Sequence, residues 1–364
     1  MLVRTFLFVA MALCLDAAFA EERINAGNNP LNLLEGDYTI TEFRFTNGEK
    51  LPELRIHYRT VGKPAVVSGE IQNAILLLHG TSSTGAAFLA DGFRSAMFGP
   101  GQPLDASKYY LILPDSIGLG GSSKPSDGLR ARFPHYGYND MAEAQKQLVT
   151  QGLRLQHLKA VLGTSMGGMH TWLWAEKYPT LMDGIIPIAC QTERISGRNL
   201  LWRRLITTAV RSDPEWNNGD YRTQPGSLQH LYPLFLMMLG NAREFQTETA
   251  TLDQTRAFLD KAAALIRNNE LDANDLLYRL EASADYDPAP SLHRIEAAVL
   301  SINFADDEIN PPELGFIERA KSSVPNGKFI LVPASQQTIG HQTLGKAMVY
   351  REYVAEFLER LPKR

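Results

Sequence analysis

Leu158 to Lys177 reads LKAVLGTSMGGMHTWLWAEK, and this stretch decides the fold. Leu158 to Leu162 has the apolar character of a short buried strand, three glycines then crowd one serine, and from Met166 the spacing is helical. The pattern predicts strand, sharp turn and helix, with Gly163-Thr164-Ser165-Met166-Gly167 at the turn. A serine in so tight a bend takes strained backbone angles and presents its hydroxyl, and the residues two before and two after it must be small. Glycine stands at both places. A helix starting just beyond Ser165 also aims unpaired N–H groups and the positive end of its dipole at the spot where an oxyanion would form. A bare G-x-S-x-G can arise by chance; the strand before it and the helix after it make it a nucleophile elbow.

Working outward, Ala74 to Leu78 is a continuous apolar run ending in His79-Gly80-Thr81-Ser82-Ser83, as expected of a strand buried on both faces. Tyr109 to Pro114, Gly184 to Ala189, Ala298 to Phe304 and Lys328 to Pro333 repeat that pattern. Helical segments lie between them, including Met141 to Leu153, capped through Asn139-Asp140, and Pro312 to Val324. Tyr38 to Phe45 and Leu54 to Tyr58 alternate across Asn47-Gly48 and predict an antiparallel edge hairpin. The fold class is therefore α/β, a mostly parallel doubly wound sheet. From Gln191 to Pro288 the strand pattern stops. Asn199 to Val210, Leu228 to Leu239, Leu252 to Ile266 and Ala273 to Leu280 read as amphipathic helices, a lid insertion over the carboxyl ends of the strands. The expected organisation is a signal peptide at 1–20, core at 21–190, lid at 191–288 and core again at 289–364.

A serine hydroxyl needs a base, and the base needs an anion to hold its tautomer. On an elbow sheet the partners follow in the order serine, acid, histidine. The strand Ala298 to Phe304 runs into Ala305-Asp306-Asp307-Glu308-Ile309-Asn310-Pro311, where three carboxylates compete. The D-x-x-x-P spacing favours Asp307, with Asp306 and Glu308 left for a helix cap or loop charge. The base is His341, in Thr338-Ile339-Gly340-His341-Gln342 after the last strand. The oxyanion donors are the amides of Met166 and Thr81, and His79 serves to orient the Thr81 loop by hydrogen bonding. The eight histidines show no H-E-x-x-H spacing, and Gly118-Leu119-Gly120-Gly121 lacks the later glycine of a dinucleotide fingerprint. Neither a metal nor a cofactor is expected, and the glycine run reads as a bend beside the active-site mouth.

A net charge of −4 and the lack of a basic cluster argue against a nucleic-acid partner. Met1 to Ala20 has a basic start at Arg4, an apolar run from Thr5 to Leu15 and Ala18-Phe19-Ala20 before Glu21-Glu22, the layout of a cleavable signal peptide. The run is too short to span a bilayer, so no membrane anchor is expected after cleavage. Cys14 would leave with it, so Cys190 has no intrachain partner. The expected location is periplasmic or secreted.

Together these residues resemble the α/β-hydrolase superfamily, in its homoserine O-acetyltransferase-like branch. The resemblance runs from about Ile56 to the C-terminus. Its most specific pieces are Gly99-Pro100-Gly101 with Leu104-Asp105, the elbow through Met169, Asp213-Pro214-Glu215-Trp216 with Gly219-Asp220-Tyr221, and Leu271-Asp272-Ala273-Asn274. It implies a triad of Ser165, Asp307 and His341. Two features depart from the branch: Gly118 to Ser126 is short, and the Ala-Arg pair whose arginine holds the substrate carboxylate is missing near Pro225-Gly226-Ser227-Leu228. Three functions follow. The first is an exported serine hydrolase that cleaves an ester or related acyl bond of a small molecule. The second is an acyltransferase sharing its first half-reaction, and the third a non-catalytic binding protein on the same fold.

Overall fold

The computed structural model describes residues 31–268 and 270–362, so the signal-peptide expectation for 1–20 lies outside the described residues. Eight strands form one sheet: β1 (Leu34–Arg44), β2 (Lys50–Val61), β3 (Ala74–Leu78), β4 (Tyr110–Pro114), β5 (Leu158–Thr164), β6 (Met182–Ile188), β7 (Ala298–Phe304) and β8 (Lys328–Val332). Their spatial order is β1-β2-β4-β3-β5-β6-β7-β8. β1 and β2 form the antiparallel hairpin, with Thr39 opposite Arg55, and β2 pairs antiparallel with β4. Every later pairing is parallel.

The continuous apolar runs follow from this layout. Side chains alternate across a strand, so Ala74, Leu76 and Leu78 of β3 enter one core while Ile75 and Leu77 enter the other. All five are buried, and a fully buried leucine contributes about 1.5–3 kcal/mol. One face is covered by α1 (Asp91–Met97) and α10 (Arg351–Arg360), through Phe93, Met97, Val354 and Leu358. The other is covered by α2 (Tyr138–Gln147) and α3 (Met166–Lys177), through Met141, Trp172 and Trp174.

Between β6 and β7 the chain forms α4 (Gly197–Ser212), α5 (Gly226–Leu239), α6 (Ala242–Glu248), α7 (Leu252–Arg267) and α8 (Ala273–Glu281). The lid is tied down by polar bonds from its far end. Tyr278 Oη donates to the Phe133 carbonyl at 2.8 Å and Tyr286 Oη to that of Gln191 at 2.7 Å.

Two helix expectations need correction. α2 begins at Tyr138 rather than Met141, because the Asp285 carboxylate accepts the N–H groups of Tyr138 and Asn139 at 2.9 and 3.1 Å. Asp140 is not its cap but sits inside the first turn and accepts from Gly137 N. Its last turn, Leu148–Gly152, widens into a π-helix. Pro312 to Val324 is not one helix either: Gly315, at φ +71°, separates a 3₁₀ turn from α9 (Phe316–Ser323). Sequence periodicity also passes over α6, whose seven residues are too few to show a period.

Candidate active site

β5 delivers Ser165 at φ 54° and ψ −115°, the left-handed region that only an over-determined position sustains in a non-glycine residue. The surroundings fix it. Ser165 N donates to the Ile188 carbonyl at 2.8 Å, tying the bend to β6. A Cβ on Gly163 would stand 2.0 Å from the Gly167 oxygen, and one on Gly167 would stand 1.9 Å from the Leu78 oxygen. Gly168 has the same constraint, because its Cβ would meet Cys190 Sγ at 2.7 Å. Cys190 is fully buried there and its thiol is pushed up by burial, which keeps it protonated.

His341 follows β8 in a loop turned by Gly340 at φ +62°, and its Nε2 lies 2.8 Å from Ser165 Oγ. On its other side Nδ1 lies 2.7 Å from Asp307 Oδ2. Asp307 is buried just past β7, where Oδ1 accepts from the amides of Ile309 and Asn310 at 2.8 and 3.0 Å. Burial alone would raise its pKa; attraction to His341 and these bonds outweigh that and hold the carboxyl below its ordinary range. With Nδ1–H donating to Asp307, Nε2 is the acceptor for the serine proton. Such a chain can take a proton from Ser165 as its oxygen attacks an acyl carbon.

The neighbouring carboxylates do other things. Asp306 Oδ2 accepts from Asn241 Nδ2 at 2.7 Å, Thr338 Oγ1 at 2.8 Å and Gly340 N at 3.3 Å. It therefore pins the histidine loop to the start of α6. Glu308 forms an exposed ion pair with Arg198.

Met166 opens α3, and the first N–H groups of a helix have no acceptor within it. Thr81, nearly buried, lines one cavity with Ser165 and His341. His79 holds that loop. Ser116 N donates to its Nε2 at 2.9 Å, so Nδ1–H donates to the Gly80 carbonyl at 2.8 Å. Burial lowers the His79 pKa, which keeps the bridging neutral tautomer. Arg279 Nη1 adds a 3.4 Å bond to the Thr81 carbonyl. The structure thus brings Ser165, His341, Asp307, Thr81 and Met166 to one end of the sheet, beyond the carboxyl ends of the strands. Gly118, Leu119 and Gly120 line a second, adjoining cavity that shares Ser82 and Ser83 with the first.

The cavity that holds Ser165 and His341 measures about 110 Å³ and is walled chiefly by apolar groups, with Trp202, Phe235 and Leu239 supplied by the helices between β6 and β7. Sequence reasoning missed Arg203, a buried guanidinium in this wall. Its signal was available: Trp202, Arg203, Ile206, Thr207 and Val210 make the buried stripe of α4, so an arginine stands on the apolar face of an amphipathic helix. Among the described residues no group of three or more His, Cys, Asp or Glu side chains could hold a metal ion, and no helix is long and apolar enough to cross a membrane.

A family model described as the alpha/beta hydrolase fold matches residues 73–336. A "probable acyltransferase" of Methanothermobacter thermautotrophicus is 29% identical over 325 residues, covering 88% of this chain and 96% of that one. A homoserine O-acetyltransferase of Haloarcula marismortui is 30% identical over 305 residues, covering 71% and 73%. Among solved structures, esterase E22 superposes with a TM-score of 0.78 at 20% identity, covering 90% of this chain and 100% of that one. The homoserine O-acetyltransferase of Bacillus anthracis does so at 0.77 and 21%, covering 91% and 99%.

Proposed function

The chain belongs to the α/β-hydrolase fold family, in its homoserine O-acetyltransferase-like branch, and on that premise we propose that it is an exported serine hydrolase of small acyl esters. The observation that carries the reading is the hydrogen-bonded chain from Ser165 Oγ through His341 to Asp307, at 2.8 and 2.7 Å, opening into an apolar cavity.

Ser165 Oγ attacks the acyl carbon while its proton passes to His341 Nε2. The carbonyl oxygen becomes an oxyanion held by the Met166 and Thr81 amides, and Asp307 stabilises the imidazolium. Collapse of the intermediate breaks the ester bond, and the leaving alkoxide takes the proton from His341. Water then repeats the sequence on the acyl-enzyme, releasing the acid and the free serine. A cavity of about 110 Å³ is small beside the ~300–1,000 Å³ usual for ligand pockets, which supports a short acyl group. Export rests on the layout of residues 1–20, and the N-terminus of protein recovered from a periplasmic fraction would test it: Glu21 as the first residue is expected, and Met1 would overturn it.

The names of the relatives favour a second reading, in which an alcohol replaces water in the deacylation step. Partition separates the two. The enzyme is acylated with a chromogenic acetyl ester in the presence of millimolar homoserine, serine or glycerol, and acid and new ester are measured together. Hydrolysis predicts mostly free acid at every acceptor level. Stoichiometric O-acetyl product, or efficient use of acetyl-CoA, would assign the chain to acyl transfer instead.

A further inference from the structure

Arg203 stands in the wall of the catalytic cavity with 5% of its surface exposed. Its side-chain bonds go to neutral acceptors: Nε donates to Asn199 Oδ1 at 2.9 Å and Nη1 to Ser283 Oγ at 3.4 Å. Among the described residues it forms no ion pair; Glu281, which shares a small neighbouring cavity with it, is engaged by Arg211. The guanidinium lies over the Trp202 ring, 4.8 Å from its centroid. Trp202 also lines the catalytic cavity, and its buried indole N–H has no acceptor. The buried Tyr138 hydroxyl lies within reach of both Arg203 and Thr81, a further neutral partner for the guanidinium. Lys346, the other cation of this wall, faces Glu244 and Glu248 instead.

Withdrawing a guanidinium from water costs several kcal/mol unless a counter-charge offsets it, and unsatisfied buried donors add to that cost. A positive charge without an ion-pair partner and the unpartnered Trp202 indole N–H in the wall of a mostly apolar pocket are the complement of a carboxylate carried on a short hydrocarbon. We propose that Arg203 is a substrate anchor, and that the esters this enzyme prefers carry a free carboxylate in addition to the ester being cleaved. The inference rests on the esterase reading above, because the same cavity holds Ser165. It does not reuse the arginine missing near Pro225 to Leu228, since Arg203 comes from α4 rather than α5. The carboxylate can belong to the acyl half, as in a monoester of a dicarboxylic acid, or to the alcohol half, as in an acylated hydroxy acid.

Two substrate pairs distinguish these sources: phenyl hydrogen succinate against its methyl ester, and 3-acetoxypropanoate against its methyl ester. In each pair the methyl ester removes the remote charge and adds one methyl group, and cleavage is read from the phenol or acetate released so that hydrolysis of the methyl ester is not counted. For the half that carries the anion, kcat/KM of the wild type should favour the carboxylate at least ~30-fold, the lower end of what a buried charge pair contributes. Arg203→Met should bring that ratio below about threefold, chiefly through KM, and Arg203→Lys should restore part of it. Ratios at or below one for both pairs in the wild type, or ratios untouched by Arg203→Met, would overturn the proposal. If the Met variant does not fold, the Lys variant and the wild-type ratios still decide. Should no ester show Ser165-dependent turnover, the esterase reading fails by itself. Calorimetric titration of Ser165→Ala with succinate then tests the anchor alone: one-to-one binding lost in Ser165→Ala with Arg203→Met and partly kept with Arg203→Lys supports it, and no binding refutes it.

Discussion

Exchanging Asp307 and Asp306 separately for asparagine sets two adjacent carboxylates of equal charge against each other. In Asp307→Asn the amide oxygen can keep the bonds from Ile309 and Asn310, but the NH₂ then faces His341 Nδ1 across 2.7 Å. Two donors cannot share that contact, so the imidazole must move its proton to Nε2, where it points at Ser165 and no longer accepts. The change of tautomer costs about 10⁴ in kcat in the serine-protease template, or ~5.5 kcal/mol of barrier. The fold should survive, because the volume and both backbone bonds are kept. In Asp306→Asn an amide oxygen can still accept from Asn241, Thr338 and Gly340, yet each bond loses its charge assistance, at roughly 1 kcal/mol apiece. Stability should fall by ~2–3 kcal/mol while kcat drops less than about tenfold. Steady-state hydrolysis of an acetyl ester, with near-ultraviolet circular dichroism and thermal melts, reads both. An Asp307→Asn enzyme with more than a tenth of wild-type kcat, or a more severe loss of activity in Asp306→Asn, would refute the reasoning.

Three further outcomes follow from local geometry. Gly167→Ala should yield no stably folded protein, because its Cβ would lie 1.9 Å from the Leu78 oxygen; Gly345→Ala, with nothing within 4 Å of its Cβ, should melt within a few degrees of wild type, and a folded, active Gly167→Ala would contradict the packing account. His79→Ala should cut kcat and lower stability by ~1–3 kcal/mol, since it strands the Ser116 N–H and leaves the Gly80 carbonyl with Ser83 as its donor; a wild-type melting curve would remove His79 from its bridging role. Glu244 is raised from 4.5 to about 7 by burial and then by Glu248, so its contribution to stability is fully present below about 4.5 and lost as pH rises through about 7. Between pH 5 and 8.5 the wild-type melting temperature should therefore fall more steeply than that of Glu244→Gln, and parallel curves would show that the carboxyl is not perturbed.

The parts of the fold readable in the sequence are those written by local period and local sterics. β3 and β7 announce themselves because a strand buried on both faces is mostly apolar, with Ser301 and Asn303 the polar residues of β7, and their observed bounds coincide with the runs Ala74 to Leu78 and Ala298 to Phe304. The elbow is legible because its three constraints, two glycines and a helix start, fall within five residues. What escaped depends on distant partners. The start of α2 is held locally by Asp140, which accepts from Gly137 N, and from afar by Asp285, 147 residues from Tyr138, and no local reading supplies that second part. Asp306 looked like a loop charge because two of its partners, Asn241 and Thr338, are brought to it only by the lid and by β8. Arg203 differs: its place on the apolar stripe of α4 is readable from the period, and only its lack of an ion-pair partner depends on the distant parts of the fold.

The central claim is that acyl transfer passes through Ser165. Treatment with a fluorophosphonate probe, followed by peptide mapping, tests it most directly. A single adduct on the peptide carrying Ser165, absent in Ser165→Ala together with all ester turnover, is the expected result. An adduct on another residue, or a Ser165→Ala enzyme that keeps even a tenth of the wild-type rate where ~10⁶ should be lost, would contradict it.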